Sequence, residues 1–373
     1  MSDQNQRLLG PGRSVQIRRP LLVYAGMLAC LSLIGSVWHD ATRDIPSSSA
    51  GVAEAGRGFL ASGVRSPSGG LPPIEGALLA RADAPKLLVA AERPFIFDVS
   101  SGAIRLVGGL PPADGPFTAL GASRSGAVLV STRTGRVYGV KAFGTHVESL
   151  GVALRAIPAA RGGRIWLLAR GRGTSCTIRL VSLAGLLLRG ARPFSCGLAE
   201  AGWPLGIITR RRQVVNPMSG RVVFRSRQAI LGVAGNSVVQ LIQTRTGPRI
   251  AVTDPVSGHT RAVGGNAGFI SAEYGTSPDG LRLLLWRGGP FVLAASTLDV
   301  GTATISLLPG MPARAYFKHT GFSWAPNGDL VVLAESGGRT IVAVWRPGDR
   351  MLRVRAVSIP DRGGERSIAV LSR

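Results

Sequence analysis

The sequence predicts an all-β chain built from one repeated four-stranded unit. Three observations carry this. Gly and Pro are abundant, at 51 and 24 of 373 residues, as a turn-rich β protein requires. Short β-branched and aromatic runs alternate with Gly-containing turns, most regularly from Phe322 to Val357. Glycines at one kind of turn recur every 35 to 47 residues, the period of a propeller blade.

The clearest unit reads FSWAPNGDLVVLAESGGRTIVAVWRPGDRMLRVRAV. Turns at Pro326-Asn327-Gly328, Gly337-Gly338 and Pro347-Gly348-Asp349 divide it into four runs, an antiparallel meander. One such sheet cannot bury both faces, so it needs neighbours. The turn before its last strand has counterparts along the chain. Asp98-Val-Ser-Ser-Gly102, Asn216-Pro-Met-Ser-Gly220 and Asp254-Pro-Val-Ser-Gly258 are near copies, Asp299-Val-Gly301 is shorter, and Gly144 and Gly185 fill the gap. Asp or Asn bonds the backbone ahead of it at such turns, and Gly supplies positive φ. A second series runs through Ser125-Gly126, Gly162-Gly163, Gly235-Asn236, Pro278-Asp279-Gly280 and Pro326-Asn327-Gly328, each followed by an apolar run. About seven units of roughly 41 residues fill the length from Gly76 to Arg373. The unit from Trp203 to Arg225 is short, which leaves six or eight open. Ser367 to Leu371 is a lone apolar strand expected to close the ring beside Leu87–Ala91 and Phe95–Val99, removing exposed edges.

Upstream, residues 1–19 form a basic tail with Arg7, Arg13, Arg18 and Arg19. Residues 20–38 are apolar and long enough to cross a bilayer, with Tyr24 and Trp38 near the two ends. A retained signal anchor is the reading preferred; a cleaved signal peptide is the rival, although no small-x-small site follows closely. The positive flank places the N-terminus in the cytoplasm and the rest outside it. Residues 39–75, with Ser47-Ser48-Ser49 and Pro72-Pro73, read as a flexible linker, and 76–373 as the propeller.

Thr276-Ser-Pro-Asp-Gly280 and Phe322-Ser-Trp-Ala-Pro-Asn-Gly328 resemble the S-P-D-G and W-S-P-D-G turns of TolB-like and WD40-like propellers. The whole unit resembles membrane-anchored propeller proteins of actinobacteria, most of them functionally undefined. The resemblance covers the last 300 residues or so and implies fold rather than activity. The Gly-His and Trp-Asp signatures of true WD40 repeats are absent.

Chemistry is sparsely marked. There is no G-x-S-x-G elbow and no G-x-x-x-x-G-K loop, and the four histidines are scattered without C-x-x-C or H-x-x-x-H spacing. No catalytic residue, metal or cofactor is therefore expected. Glu148, Glu200, Glu273 and Glu335 are the acids placed to reach a central channel. Glu273 and Tyr274, on a predicted innermost strand, are the expected channel-lining polar pair. Cys176 and Cys196 flank the outer strands of the third unit and could pair in an oxidising compartment, or remain two buried thiols. Five tryptophans in or beside strands, Trp166, Trp203, Trp286, Trp324 and Trp345, read as packing between blades, with an aromatic platform on one face as the alternative.

The net charge of +24, nearly all arginine, attracts anionic partners or merely biases the surface. The function expected is a membrane-anchored extracytoplasmic binding or scaffolding module for a protein, peptide, glycan or anionic envelope polymer. Nucleic acid ranks last, because the arginines are not clustered in sequence. The alternative is a propeller enzyme of metal-dependent lactonase or hydrolase type, which needs several Asp, Glu, Asn or His converging on the axis.

Overall fold

The computed structural model describes residues 73–123, 126–141, 144, 146–159, 162–171, 175–197, 199–264, 269–271, 275–288, 293–312, 320–360 and 367–372. They form seven sheets in a closed ring, a seven-bladed β-propeller. Each blade has four antiparallel strands, counted one to four from the axis outward. Strand one is Phe117–Ser123 in blade 2, Arg155–Pro158 in blade 3, Ala199–Gly202 in blade 4, Ala229–Ala234 in blade 5, Phe269–Ser271 in blade 6 and Gly321–Trp324 in blade 7. In blade 1 the C-terminal strand Ser367–Ser372 takes this place beside Lys86–Ala90, Phe95–Asp98 and Ile104–Leu106.

The closing strand pairs as the sequence predicts, with Leu88 opposite Ala369 and Val89 opposite Ile368. It is also tied sideways. The Ser367 hydroxyl donates to the Ala119 carbonyl (3.0 Å) and accepts from its N–H (3.1 Å), and Ser323 Oγ accepts from the Val370 N–H (3.3 Å). A second closure is not legible in the sequence. Gly76–Leu78 adds a fifth, parallel strand to the outer edge of blade 7, with Gly76 opposite Leu352. A Cβ at Gly76 would lie 2.4 Å from the Leu352 carbonyl oxygen, so only glycine fits. Ile74, just before it, is buried between blades 6 and 7.

All seven marker glycines, from Gly102 to Gly348, fall between strands three and four. The count is seven, and the short unit is blade 4, whose strands hold three or four residues each. In the Asp98, Asn216 and Asp254 turns, side-chain Oδ1 accepts the N–H groups two and three residues on, at 2.8–3.4 Å. Turns joining strands one to two and three to four share the lower face of the ring. Turns joining strands two to three, and the links between blades, share the upper face.

Each pair of neighbouring blades encloses one apolar cluster, so the core is a ring of wedges. Among the described residues the wedge between blades 6 and 7 holds fifteen buried side chains and that between blades 4 and 5 only five. Trp166, Trp286, Trp324 and Trp345 are buried in these wedges, as expected of large rings. Among the described residues no helix is long and apolar enough to cross a membrane; residues 20–38 lie outside them.

Candidate functional site

The strands nearest the axis carry small side chains where they face it, including Thr118, Gly121, Ala156, Ala201, Gly232 and Ser367. They leave a central cavity of about 1930 Å³, open to solvent. Its charged described residues are Arg133, Arg155, Arg170, Glu200, Arg211 and Asp279. Topology separates them. Asp279 sits in a turn between strands one and two, at the lower mouth. Arg133 and Arg211 lie in turns between strands two and three. Arg155 and Glu200 stand near the starts of their innermost strands, and Arg170 ends the second strand of blade 3. Among the described residues the upper mouth is thus bordered by four arginines and one glutamate.

Blade 4 supplies the densest part of this border. Its second and third strands are joined by a tight turn in which the Arg212 N–H donates to the Thr209 carbonyl (3.1 Å). Arg210 and Arg211 occupy the two central positions with φ of 50° and 53°. Such turns favour Asn-Gly, and holding two residues with a Cβ in this conformation costs about 1 kcal/mol or more each. The backbone is pinned beyond the turn by Ile230 N–H to the Arg211 carbonyl (2.6 Å) and Ser226 N–H to the Arg212 carbonyl (2.8 Å). The Arg211 guanidinium lies 3.7 Å from the Glu200 carboxylate, both side chains being partly in water. Arg225 ends the outermost strand of blade 4, Arg227 follows it, and Arg245 occupies the corresponding turn of blade 5, all on the upper face and exposed.

Ion pairs elsewhere are structural. Asp114 is buried, accepts from the Tyr138 and Thr134 hydroxyls and lies 3.7 Å from Arg136. Burial raises the Tyr138 pKa, and the Asp114 carboxylate raises it further. On the lower face Arg282 bridges Asp279 and Asp299. Arg353 bridges Asp83 and Asp349.

Of the four acids expected near the channel three are among the described residues, and of these the fold brings only Glu200 to the cavity wall. Glu148 lies on the outermost strand of blade 2 and Glu335 on the second strand of blade 7; neither lines the cavity. Sequence alone did not say which strand of its blade each acid occupied. Glu273 and Tyr274 lie outside the described residues. Trp203 is the one of the five tryptophans that is only half-buried; it borders the cavity and its Nε1–H donates to the Pro158 carbonyl. Cys176, which opens strand three of blade 3, is joined to Cys196 just past the outermost strand. Among the described residues no three His, Cys, Asp or Glu side chains gather to hold a metal ion.

The arginine border was missed because its members are far apart in sequence. A signal existed. From residue 155 to 264 the chain holds seventeen arginines and only two acids, Glu200 and Asp254, and Asp254 belongs to a lower-face turn.

No protein-family model matches the sequence, and no curated protein matches it. Among solved structures the chain is similar to TolB from Acinetobacter baumannii, at 16% identity over 79% of this chain and 68% of that one, with a TM-score of 0.47. It is similar to a chain of a nidogen/laminin complex at 10% identity over 77% of this chain and 99% of that one, with a TM-score of 0.41. A prolyl endopeptidase matches at 14% identity over 73% of this chain and 47% of its own, with a TM-score of 0.45. Likeness at this level is one of fold and says nothing of ligand or activity.

Proposed function

We propose that the protein is a membrane-anchored, extracytoplasmic binding module that engages an anionic partner at the upper mouth of its propeller. The observation that carries this is the charged border of the upper mouth, where among the described residues Arg133, Arg155, Arg170 and Arg211 stand with a single acid, Glu200. Several guanidiniums around one opening raise the local concentration of anions and release counterions when a polyanion docks. Small side chains along the axis leave room for part of an extended chain to enter. The basic tail 1–19 ahead of the apolar segment 20–38 supports the anchor and its orientation. The Cys176–Cys196 bond supports an oxidising compartment.

The test is affinity for a polyanion, measured on the full-length chain in neutral detergent at about 50 and 200 mM salt. Replacing Arg133, Arg155 and Arg170 with Gln is expected to weaken binding at least tenfold and to flatten its salt dependence. The same number of changes on the lower face, at Arg164, Arg221 and Arg350, is expected to change affinity by less than about twofold. Equal losses from the two triple variants would sink the assignment to the upper mouth.

A further inference from the structure

Blade 4 holds two successive arginines in the left-handed region at a turn where Asn-Gly would sit without strain. Strain of this kind, found beside a cavity, points to a use for the side chains it positions. Arg211 borders the cavity, and its present partner is Glu200 at 3.7 Å. That pair is weak, since Arg211 is 53% and Glu200 33% exposed, and a competing oxyanion can displace it at little loss. Guanidinium forks match phosphate oxygens and bind them bidentately. None of the residues in the upper-face turns 132–135, 210–212 and 245–246 is aromatic, so these turns offer no stacking surface for bases.

We propose that the Thr209–Arg212 turn is a phosphate-binding site, at which Arg211 exchanges Glu200 for a phosphate group of a polymer without bases, while Arg210 and Arg212 add to the field. This rests on the reading of the upper mouth as anion-binding. Glu200 is then a built-in competitor that keeps the arginine extended when no ligand is present.

The test uses inorganic polyphosphate as probe and the full-length chain. Glu200→Gln is expected to tighten binding by about two- to fivefold, the worth of an exposed ion pair. The double variant Arg210→Asn, Arg211→Gly is expected to weaken binding at least tenfold and to lower the salt slope by about two. The same variant should raise Tm by about 2 °C or more, because Asn-Gly suits the turn. Weaker binding by a more stable protein cannot be a folding defect. A weaker Glu200→Gln variant would overturn the exchange, and a lower Tm in the double variant would overturn the strain argument. Unchanged affinity in the double variant, with the Arg133, Arg155 and Arg170 triple variant still impaired, would remove the site and leave the mouth reading intact. Polyglutamate binding as tightly as polyphosphate at equal charge would overturn the choice of phosphate.

Discussion

Blade 7 runs its second and third strands through seven residues each, Leu330–Ser336 and Arg339–Trp345, whereas blade 4 has four and three, Gly206–Thr209 and Gln213–Val215. Blade 7 buries nearly all of these side chains and is widened by a fifth strand. Its aspartates are matched to cations: Asp329 lies 3.7 Å from Arg346 and Asp349 3.2 Å from Arg353. Blade 4 is thin, shares a small wedge with blade 5, and has one ion pair among its described residues. It also carries the strained double-arginine turn. The same meander thus serves two ends. Where strands are long and charges are matched, the blade is scaffold. Where strands are short and arginines outnumber acids, burial is given up for an exposed charged rim.

The sharpest way to break this contrast is to cut a cavity in each blade. Leu333→Ala in blade 7 removes a fully buried side chain from a wedge of fourteen and is expected to cost about 4 kcal/mol. Ile208→Ala in blade 4, in the wedge of five, should cost about 2 kcal/mol, because a thinly packed site relaxes more readily. Urea midpoints of the two variants, read with unchanged m-values, decide it. Equal costs would mean that blade 4 is as tightly packed as blade 7.

Blade 3, the neighbour of blade 4, stabilises its upper edge covalently. Its outermost strand, Leu187–Phe194, is almost wholly exposed and has little apolar burial to hold it. The Cys176–Cys196 bond closes a loop of 20 residues at its end, a constraint worth about 3 kcal/mol in the chain-entropy model. Replacing both cysteines with Ala should lower stability by about that amount, and reductant should destabilise the parent but not the variant. A loss below about 0.5 kcal/mol would show that the exposed edge holds without its staple.

What could be read in advance follows the same division. The regular blades announced themselves because their turns demand particular residues: Asp or Asn to bond the backbone ahead, and Gly for positive φ. Gly258 and Gly348 could be placed from those needs alone, and the strand around Ala369 from the need to close the ring. Gly76–Leu78 could not be foreseen, since three exposed residues carry no alternation and their pairing is set by the shape of blade 7. The arginine rim was illegible for another reason. Arg133, Arg211 and Arg245 share the upper face only because each blade returns its second turn there, a property of the ring and not of any local pattern. Glu148 and Glu200 show the same limit, one on an outermost strand and one on an innermost strand, with nothing in their local sequence to tell them apart.

The smallest expected effect compares one turn in two chemical forms. Blade 1 uses Asp98 and blade 4 uses Asn216 at the same position, each accepting the N–H groups two and three residues on. Desolvation pushes the Asp98 pKa up. The Ser100 hydroxyl, the N–H groups of Ser101 and Ser100 and the Lys86 ammonium outweigh it, so the folded pKa lies below the ordinary carboxylate value. A depressed carboxylate pKa stabilises the fold above the unfolded value, and that contribution is lost as pH falls through the folded one. Asp98→Asn keeps the turn's hydrogen bonds in neutral form and forfeits the charge that strengthens them, together with the 3.6 Å contact with Lys86, which is itself on the order of a few tenths of a kcal/mol at pH 7. Its stability should then fall less steeply than the parent's as pH drops below about 4. Asn216→Asp should do the reverse, gaining stability at neutral pH and losing the gain in acid, while leaving polyanion affinity within about twofold because the turn lies on the lower face. Parallel acid slopes for parent and Asp98→Asn would show that the two turns are equivalent and that the difference between the blades lies only in their strands and their arginines.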